Sequence, residues 1–321
     1  MKVGVLTAVY KDHDVSVMLD FLKKHGVEMM EVGCAGYQKS KLCDTDVLLH
    51  DDAKLKEFKK KVDDSGITIS SLSCHGNPIH PNKEIAKFYD DGITDCILLA
   101  EKLGIHQINT FSGCPGDCPD SKFPNWVVCP WPEDFLEILK YQWDDVLVPY
   151  WKKKVEFAKA HGVDKIALEL HPGFCVYNTE SMLKLREAVG PEMGANLDPS
   201  HLIWQGMDPV EVIKKLGPAI FHFHAKDTRL DLTNIKVNGV LDTKHYSDVM
   251  NRSWVFRTVG YGNDYKYWKD IISALRMVGY DYAISIEHED SLMSVEEGLI
   301  KAIDFLKGLV IEEPMTEMWW A

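Results

Sequence analysis

The sequence predicts an α/β chain folded as a single (β/α)8 TIM barrel, with a long loop between strands seven and eight and a C-terminal tail. Three observations predict it. Apolar strand-like runs alternate with amphipathic helical runs from end to end, as in parallel α/β folds. Eight such units can be counted, and no linker or compositional break divides them. Four apolar segments of the second half each end in a residue that can ligate a hard divalent cation, the pattern of a barrel mouth. The barrel is assigned to residues 1–308 and the tail to 309–321.

The elements follow in order. Strand one covers 2–8 and is followed by a helix at about 14–25 that closes on Gly26. Strand two is 28–32, and a polar insertion to about 50 precedes a helix at 51–65 that stops at Gly66. Strand three is 67–73, and its helix at 82–103 ends at Gly104. Glycine suits these ends because it accepts the left-handed C-cap conformation. Strand four, 106–111, leads through a long loop with Trp126 and Trp131 into a helical region at 133–161, bent near Pro149. Strands five to eight fall at 165–171, 194–198, 219–225 and 282–288, and the last helix spans about 293–308.

Period-two alternation separates the faces of these strands. Ile166, Leu168 and Leu170 oppose Ala167, Glu169 and His171; Phe221 and Phe223 oppose His222 and His224. Tyr282, Ile284 and Ile286 oppose Ala283, Ser285 and Glu287. The bulky apolar face suits a helix layer and the small, polar face a barrel interior. The metal-type residues always take the second face.

Composition excludes several function classes. At 321 residues with 45% apolar side chains, the chain can fill a full core. Its 36 basic and 49 acidic side chains give a net charge of −13, which repels nucleic acid and anionic membrane surfaces. No apolar run reaches a membrane span. The start Met1-Lys2-Val3-Gly4-Val5-Leu6 enters a strand at once, so a cytoplasmic protein is expected. The eight cysteines read as reduced thiols; Cys114, Cys118 and Cys129 share one loop but fit no common zinc spacing. No Walker loop, dinucleotide fingerprint or Gly-x-Ser-x-Gly elbow is present.

The candidate ligands are Glu169, Asp198, His224 and Glu287. Three carboxylates and one imidazole suit Mn²⁺ first, with Co²⁺, Mg²⁺ and Zn²⁺ as further candidates. One strand-end glutamate alone reads equally well as a rim residue or an ion-pair partner; four ligand types on successive strands favour a metal site. Glu169 and Glu287 can also exchange protons at a carbon beside a carbonyl. His171 and His75 are aimed at the mouth, where either could bind substrate, act as acid or base, or serve structure. His201 follows Asp198 through Pro199 and returns over it, or is a solvent-exposed loop histidine. His222 lies one layer below His224 and reads as a packed or supporting group. Lys226 and Asp227 either contact substrate hydroxyls or pair with each other at the rim. Arg257, in an aromatic, Gly-rich loop, suits an oxygen-rich ligand or anchors the loop. Trp126, Trp131 and Phe174 offer a platform for a sugar ring, or ordinary lid packing.

With Leu168-Glu169, Asp198-Pro199-Ser200-His201, His222 through Asp227 and Gly279-Tyr280-Asp281-Tyr282 through Glu287 in place, the chain resembles the xylose isomerase-like TIM-barrel superfamily. The resemblance implies a metal-dependent sugar isomerase or epimerase related to ketose 3-epimerases. There, residues matching the four ligands hold one Mn²⁺ or Co²⁺, the two glutamates are paired acid/base catalysts, and residues matching His201 and Arg257 contact substrate. The long 226–281 loop, His171-Pro172 and the tail are more similar to the sugar phosphate isomerase/epimerase branch. That branch implies a lyase alternative, a C-glycoside deglycosidase-type catalytic subunit acting on 3-keto-glycosides with His171 or His75 as base. A non-catalytic sugar-binding barrel is the third reading. The ligand expected in each case is a small sugar or keto-glycoside. Trp319 and Trp320 in the tail suggest a homo-oligomer or partner-subunit contact.

Overall fold

A computed structural model describes residues 1–320. The eight barrel strands are β1 (Lys2–Leu6), β2 (Met29–Gly33), β3 (Thr68–Ser73), β4 (Gln107–Thr110), β5 (Lys165–Glu169), β6 (Met193–Leu197), β7 (Ile220–Ala225) and, after a two-stranded excursion, β10 (Ala283–Ile286). They close in the order β1-β10-β7-β6-β5-β4-β3-β2, every pair parallel. The strands are shorter than the sequence suggests at their exits. His171, Asp198 and Glu287 have left the ladder, so their side chains turn over the mouth.

The alternation holds where it matters. Ile166, Leu168, Phe223, Ile284 and Ile286 are buried in the apolar core between strands and helices. Asn196, His222, His224 and Ser285 are fully buried among one another in the barrel interior. Tyr282 departs from its expected outward face. Its hydroxyl donates to the Ser70 carbonyl, and its ring stands 6.4 Å from His222 at the barrel floor. The ladder slips once between Met30 and Glu31 and once between Ala195 and Asn196. Such irregularities re-aim the residue that follows.

The expected helix at 133–161 is continuous but uneven, with wide turns at Tyr141–Leu147 between regular segments Asp134–Lys140 and Val148–Ala160. Pro149, which cannot donate a backbone hydrogen bond, lies at the start of the last segment.

The chain between β7 and β10 is no simple loop. It holds an antiparallel pair, β8 (Asp227–Leu230) and β9 (Trp254–Arg257), that folds over the mouth. A small separate apolar cluster of Trp204, Trp254 and Phe256 seats the pair, with the two indoles stacked at 4.6 Å. Asp227 clasps its far end. One carboxylate accepts from the backbone N–H groups of Thr228, Gly260, Gly262 and Asn263, the Asn263 amide and the Trp268 indole. Both glycines are required by that clasp: a Cβ at Gly262 would lie 2.5 Å from the Thr228 carbonyl, and one at Gly260 2.6 Å from the Phe305 ring.

The last helix is Val295–Lys307, and the tail beyond it leaves Trp319 and Trp320 largely exposed. No helix among the described residues is long and apolar enough to cross a membrane.

Candidate metal centre and substrate pocket

Four strand ends deliver Glu169, Asp198, His224 and Glu287 to one point, their donor atoms all within 4.8 Å of one another. Glu169 is tied at both oxygens: His201 Nε2 lies 3.0 Å from Oε1, and His75 Nε2 lies 3.1 Å from Oε2. Asp198 caps the helix Pro199–Trp204 with Oδ1, which accepts from the Ser200 N–H at 2.8 Å. That leaves Oδ2 turned inward. Glu287 Oε2 stands 3.2 Å from His224 Nδ1, and Glu169 Oε2 stands 3.6 Å from the same nitrogen.

Lys226 turns into this cluster instead of pairing with Asp227. Its ammonium lies 3.1 Å from Asp198 Oδ2, 2.7 Å from Glu287 and 2.8 Å from Glu289, and sits over the Phe256 ring. Asp198 Oδ2 is nonetheless buried without a well-directed hydrogen bond. The Lys226 contact satisfies an ion-pair distance but not hydrogen-bond angles, so it supplies charge without saturating the oxygen. An inward lone pair of this kind, beside the His224 imidazole and two more carboxylates, fits a hard divalent cation.

The electrostatics agree. Burial pushes the Asp198 carboxyl up to about 7 against the opposing pull of Lys226, the neighbouring Glu169 and Glu287 charges adding to the rise. Burial also works against Glu287 and Glu169. Lys226 and His224 hold Glu287 down at about 2, and the close His201 and His75 nitrogens hold Glu169 well below the carboxylate range. His224 is raised well above its ordinary value because Glu31 and Glu287 outweigh its burial. Burial, then the charges of His171 and Lys226, press His201 down to about 3. The centre thus gathers three carboxylates around one ammonium and one imidazole.

His75, His171 and His201 all reach the site. His75 is aimed by Gln38, 2.9 Å from its Nδ1. His171 donates from Nδ1 to the Pro172 carbonyl at 2.6 Å, so its Nε2 carries the lone pair, and burial lowers its pKa. His201 is buried over Glu169 and is not a solvent-exposed loop histidine. Arg257 lies at the rim with Nε 3.0 Å from Asp290, which also accepts from the Thr258 N–H. It anchors the loop. Trp131 is 70% exposed and lines no part of the pocket. Its loop is held outside by Gln142, whose amide donates to the carbonyls of Pro115, Gly116 and Asn125. Trp126 packs on Tyr177. Cys114 is buried while Cys118 and Cys129 are exposed, and all eight cysteines are free thiols.

Above the cluster opens a cavity of about 490 Å³, lined by Tyr37, Phe111, Phe174, Tyr246, Val255, Phe256, His171, Glu289 and Ser291. Of the aromatic walls, the sequence pointed only to Phe174; Phe111 stacks on it at 4.3 Å. Glu289 also went unnoticed, although its spacing of two from Glu287 puts both carboxylates on one side of an extended exit. A larger cavity of about 620 Å³ lies along the hairpin, lined by Arg229, Asp231, Arg252 and Trp254 among others. The smaller one is the cavity joined to the cluster, since its Glu289 and Phe256 touch Lys226 and its His171 packs on His201.

Barrel and cluster together define an enzyme with a candidate divalent-metal centre at the strand ends. Residues 19–309 match the xylose isomerase-like TIM barrel, and the chain belongs to that family. It is 42% identical over 295 residues to the uncharacterized protein YfiH of Bacillus subtilis (strain 168), covering 91% of this chain and 94% of that one. It is 26% identical over 170 residues to an inosose dehydratase of Geobacillus thermodenitrificans (strain NG80-2), covering 52% of this chain and 54% of the relative. The solved IOLI protein with a bound zinc atom superposes with a TM-score of 0.66 at 20% identity, over 97% of this chain and 98% of that one. Ketose 3-epimerases share the fold as well.

Proposed function

We propose that this chain catalyses metal-dependent proton transfer at a carbon adjacent to the carbonyl of a sugar or sugar-derived ketone, yielding an isomer or epimer. One observation carries the reading. Two glutamates from separate strand ends, buried Glu169 and part-buried Glu287, flank the same imidazole nitrogen while held ionised by different partners.

A divalent cation held by Glu169, Asp198, His224 and Glu287, Mn²⁺ foremost, would polarise the carbonyl and stabilise the developing enediolate. The chain supplies the rest. One glutamate takes the proton from the α-carbon as its own oxygen is released from a neighbour. Isomerisation follows if the same glutamate returns that proton to the adjacent carbon. Epimerisation follows if the other glutamate, after taking up a proton from solvent, delivers it to the opposite face of the same carbon while the first releases its own to solvent. His201 and His75 hold Glu169 in place throughout, and Lys226 offsets charge at Glu287. Phe111, Phe174 and Phe256 exclude water from the reacting carbon.

Solvent exchange tests this. Mn²⁺-loaded protein incubated with a ketose panel in D₂O should incorporate deuterium at the carbon beside the carbonyl. Incorporation should stop with EDTA and resume with added Mn²⁺. Deuterium uptake unaffected by chelation would sink the metal-dependent mechanism.

His171 favours a second reading, elimination from a keto-glycoside or keto-polyol. The residue lines the cavity with Nε2 unprotonated, and burial keeps the ring neutral at pH 7. His171 would remove the α-proton; the C–H electron pair forms the new double bond, and the β C–O bond breaks. The leaving oxygen takes up a proton. The likeness to an inosose dehydratase supports this reading. Product analysis separates the two: a released alcohol or water with an unsaturated ketone speaks for elimination, a redistributed pair of epimers against it.

A further inference from the structure

We infer that Glu31, at the bottom of the metal pocket, is the positioning residue that fixes the tautomer and ring orientation of His224, so that Nδ1 rather than Nε2 is offered to the cation. The inference rests on the metal-centre reading. Glu31 is fully buried on β2, immediately after a slip in the β2–β3 ladder that turns it into the barrel axis. Its carboxylate gathers donors from four other strands. Ser73 and Asn109 give to Oε1, the latter at 2.8 Å, while Ser285 and His224 Nε2 give to Oε2, each at 2.8 Å.

Each of these contacts constrains the imidazole. With both Glu31 oxygens occupied by donors, the partner nitrogen of His224 must itself carry hydrogen, which leaves Nδ1 as the nitrogen free for a metal. Nδ1 is also the atom nearest Glu287 and Glu169. The Asn196 amide nitrogen lies against the same ring, 3.0 Å from Nε2 and 3.5 Å from Nδ1, and limits its rotation. A carboxylate behind a metal-binding histidine is a recurrent device that orients the ring and raises its basicity, and losing it costs about 10–100-fold in metal affinity. Glu31, His222 and His224 could be mistaken for a second metal site. However, His222 is engaged at both nitrogens, by Ser70 and Asn196, and Glu31 is already saturated with donors.

A purely structural Glu31 would brace four strands and do nothing to the metal, and the test separates the two roles. Mn²⁺ dissociation constants are measured by calorimetry for the full chain, Glu31→Gln, His224→Ala and the double variant. Glu31→Gln should weaken Mn²⁺ binding about 10–100-fold. In the His224→Ala background the same substitution should change the constant less than about threefold, because its effect passes through the imidazole. An equal loss in both backgrounds, or unchanged affinity in folded Glu31→Gln, overturns the inference.

Should Glu31→Gln fail to fold, the unmutated protein decides. With ¹⁵N-histidine label and ¹¹³Cd²⁺ loaded, metal–nitrogen coupling to Nδ1 of His224 supports the assignment and coupling to Nε2 overturns it. Unmutated protein that binds neither Mn²⁺ nor Cd²⁺ at one equivalent removes the metal centre itself, a failure distinct from a wrong role for Glu31.

Discussion

His222 and His224 stand two residues apart on β7, both fully buried and both facing the barrel axis, yet their pKa values move in opposite directions. His222 has a neutral partner at each nitrogen, Ser70 Oγ and Asn196 Oδ1, both at 3.1 Å, and burial takes its pKa down to about 4 against the pull of Glu31, 3.7 Å from Nδ1. His224 lies between Glu31 and the mouth carboxylates, whose charge outweighs the same burial and raises it well above its usual value. One layer is a satisfied polar network and the other an unbalanced charge cluster with an inward oxygen left open. A saturated network rigidifies. An unsaturated one is poised to take a ligand.

The sharpest contrast comes from substituting each layer. Glu287→Gln should lower kcat about 10²–10⁴-fold, the usual range for a positioned acid or base, while thermal unfolding shows the fold retained. His222→Gln, one layer down, should cost stability but leave kcat within about threefold. Steady-state kinetics beside calorimetric melts reads both. Full turnover in Glu287→Gln would dissolve the distinction between the layers. His171→Ala then sorts the two chemistries: elimination should lose about 10²–10⁴-fold in kcat, whereas epimerisation should show its change mainly in KM.

The deep layer has its own pH signature. An ordinary histidine in the unfolded chain protonates near 6.5, while His222 in the fold resists protonation down to about 4. Between those values the unfolded state binds more protons, so stability present above pH 6.5 is lost as pH falls toward 4. The loss is on the order of 3 kcal/mol from this residue. His201, pressed to about 3, acts in the same direction. Denaturant melts from pH 7 to 4 should therefore show a steep decline that is partly flattened in His222→Gln. An unchanged slope in that variant would mean that the deep network does not titrate as its burial implies.

The mouth was more legible in the sequence than the layer below it, for a physical reason. Glu169, Asp198, His224 and Glu287 announce themselves because a polar residue ending an apolar strand needs an explanation, and four such ends share one geometry. The barrel followed from the same alternation of strand and helix. Glu31 gave a weaker signal, a lone carboxylate inside Met29-Met30-Glu31-Val32-Gly33, and nothing local says that its partners come from β3, β4, β7 and β10. The β8–β9 pair was hidden because its four-residue strands are too short for periodicity and their pairing spans a long insertion. Lys226 and Asp227 could not be separated from sequence. Successive extended residues point opposite ways, and only the fold decides that Lys226 faces the carboxylates and Asp227 the loop clasp.

The smallest expected effect falls on the residue where sequence and structure part most. The sequence offers Trp131 as a platform for a sugar ring or as ordinary lid packing; in the structure it is 70% exposed, and Gln142 holds its loop outside the cavity. Phe174 lines the cavity and stacks on Phe111. Trp131→Ala should leave KM and kcat within about twofold and the melting free energy within about 0.5 kcal/mol, as for other exposed side chains. Phe174→Ala should raise KM several-fold, since it removes an aromatic wall beside the reacting centre. If Trp131→Ala instead matched Phe174→Ala in KM, the 113–133 loop would have to fold inward over bound substrate, against the three carbonyls that Gln142 holds.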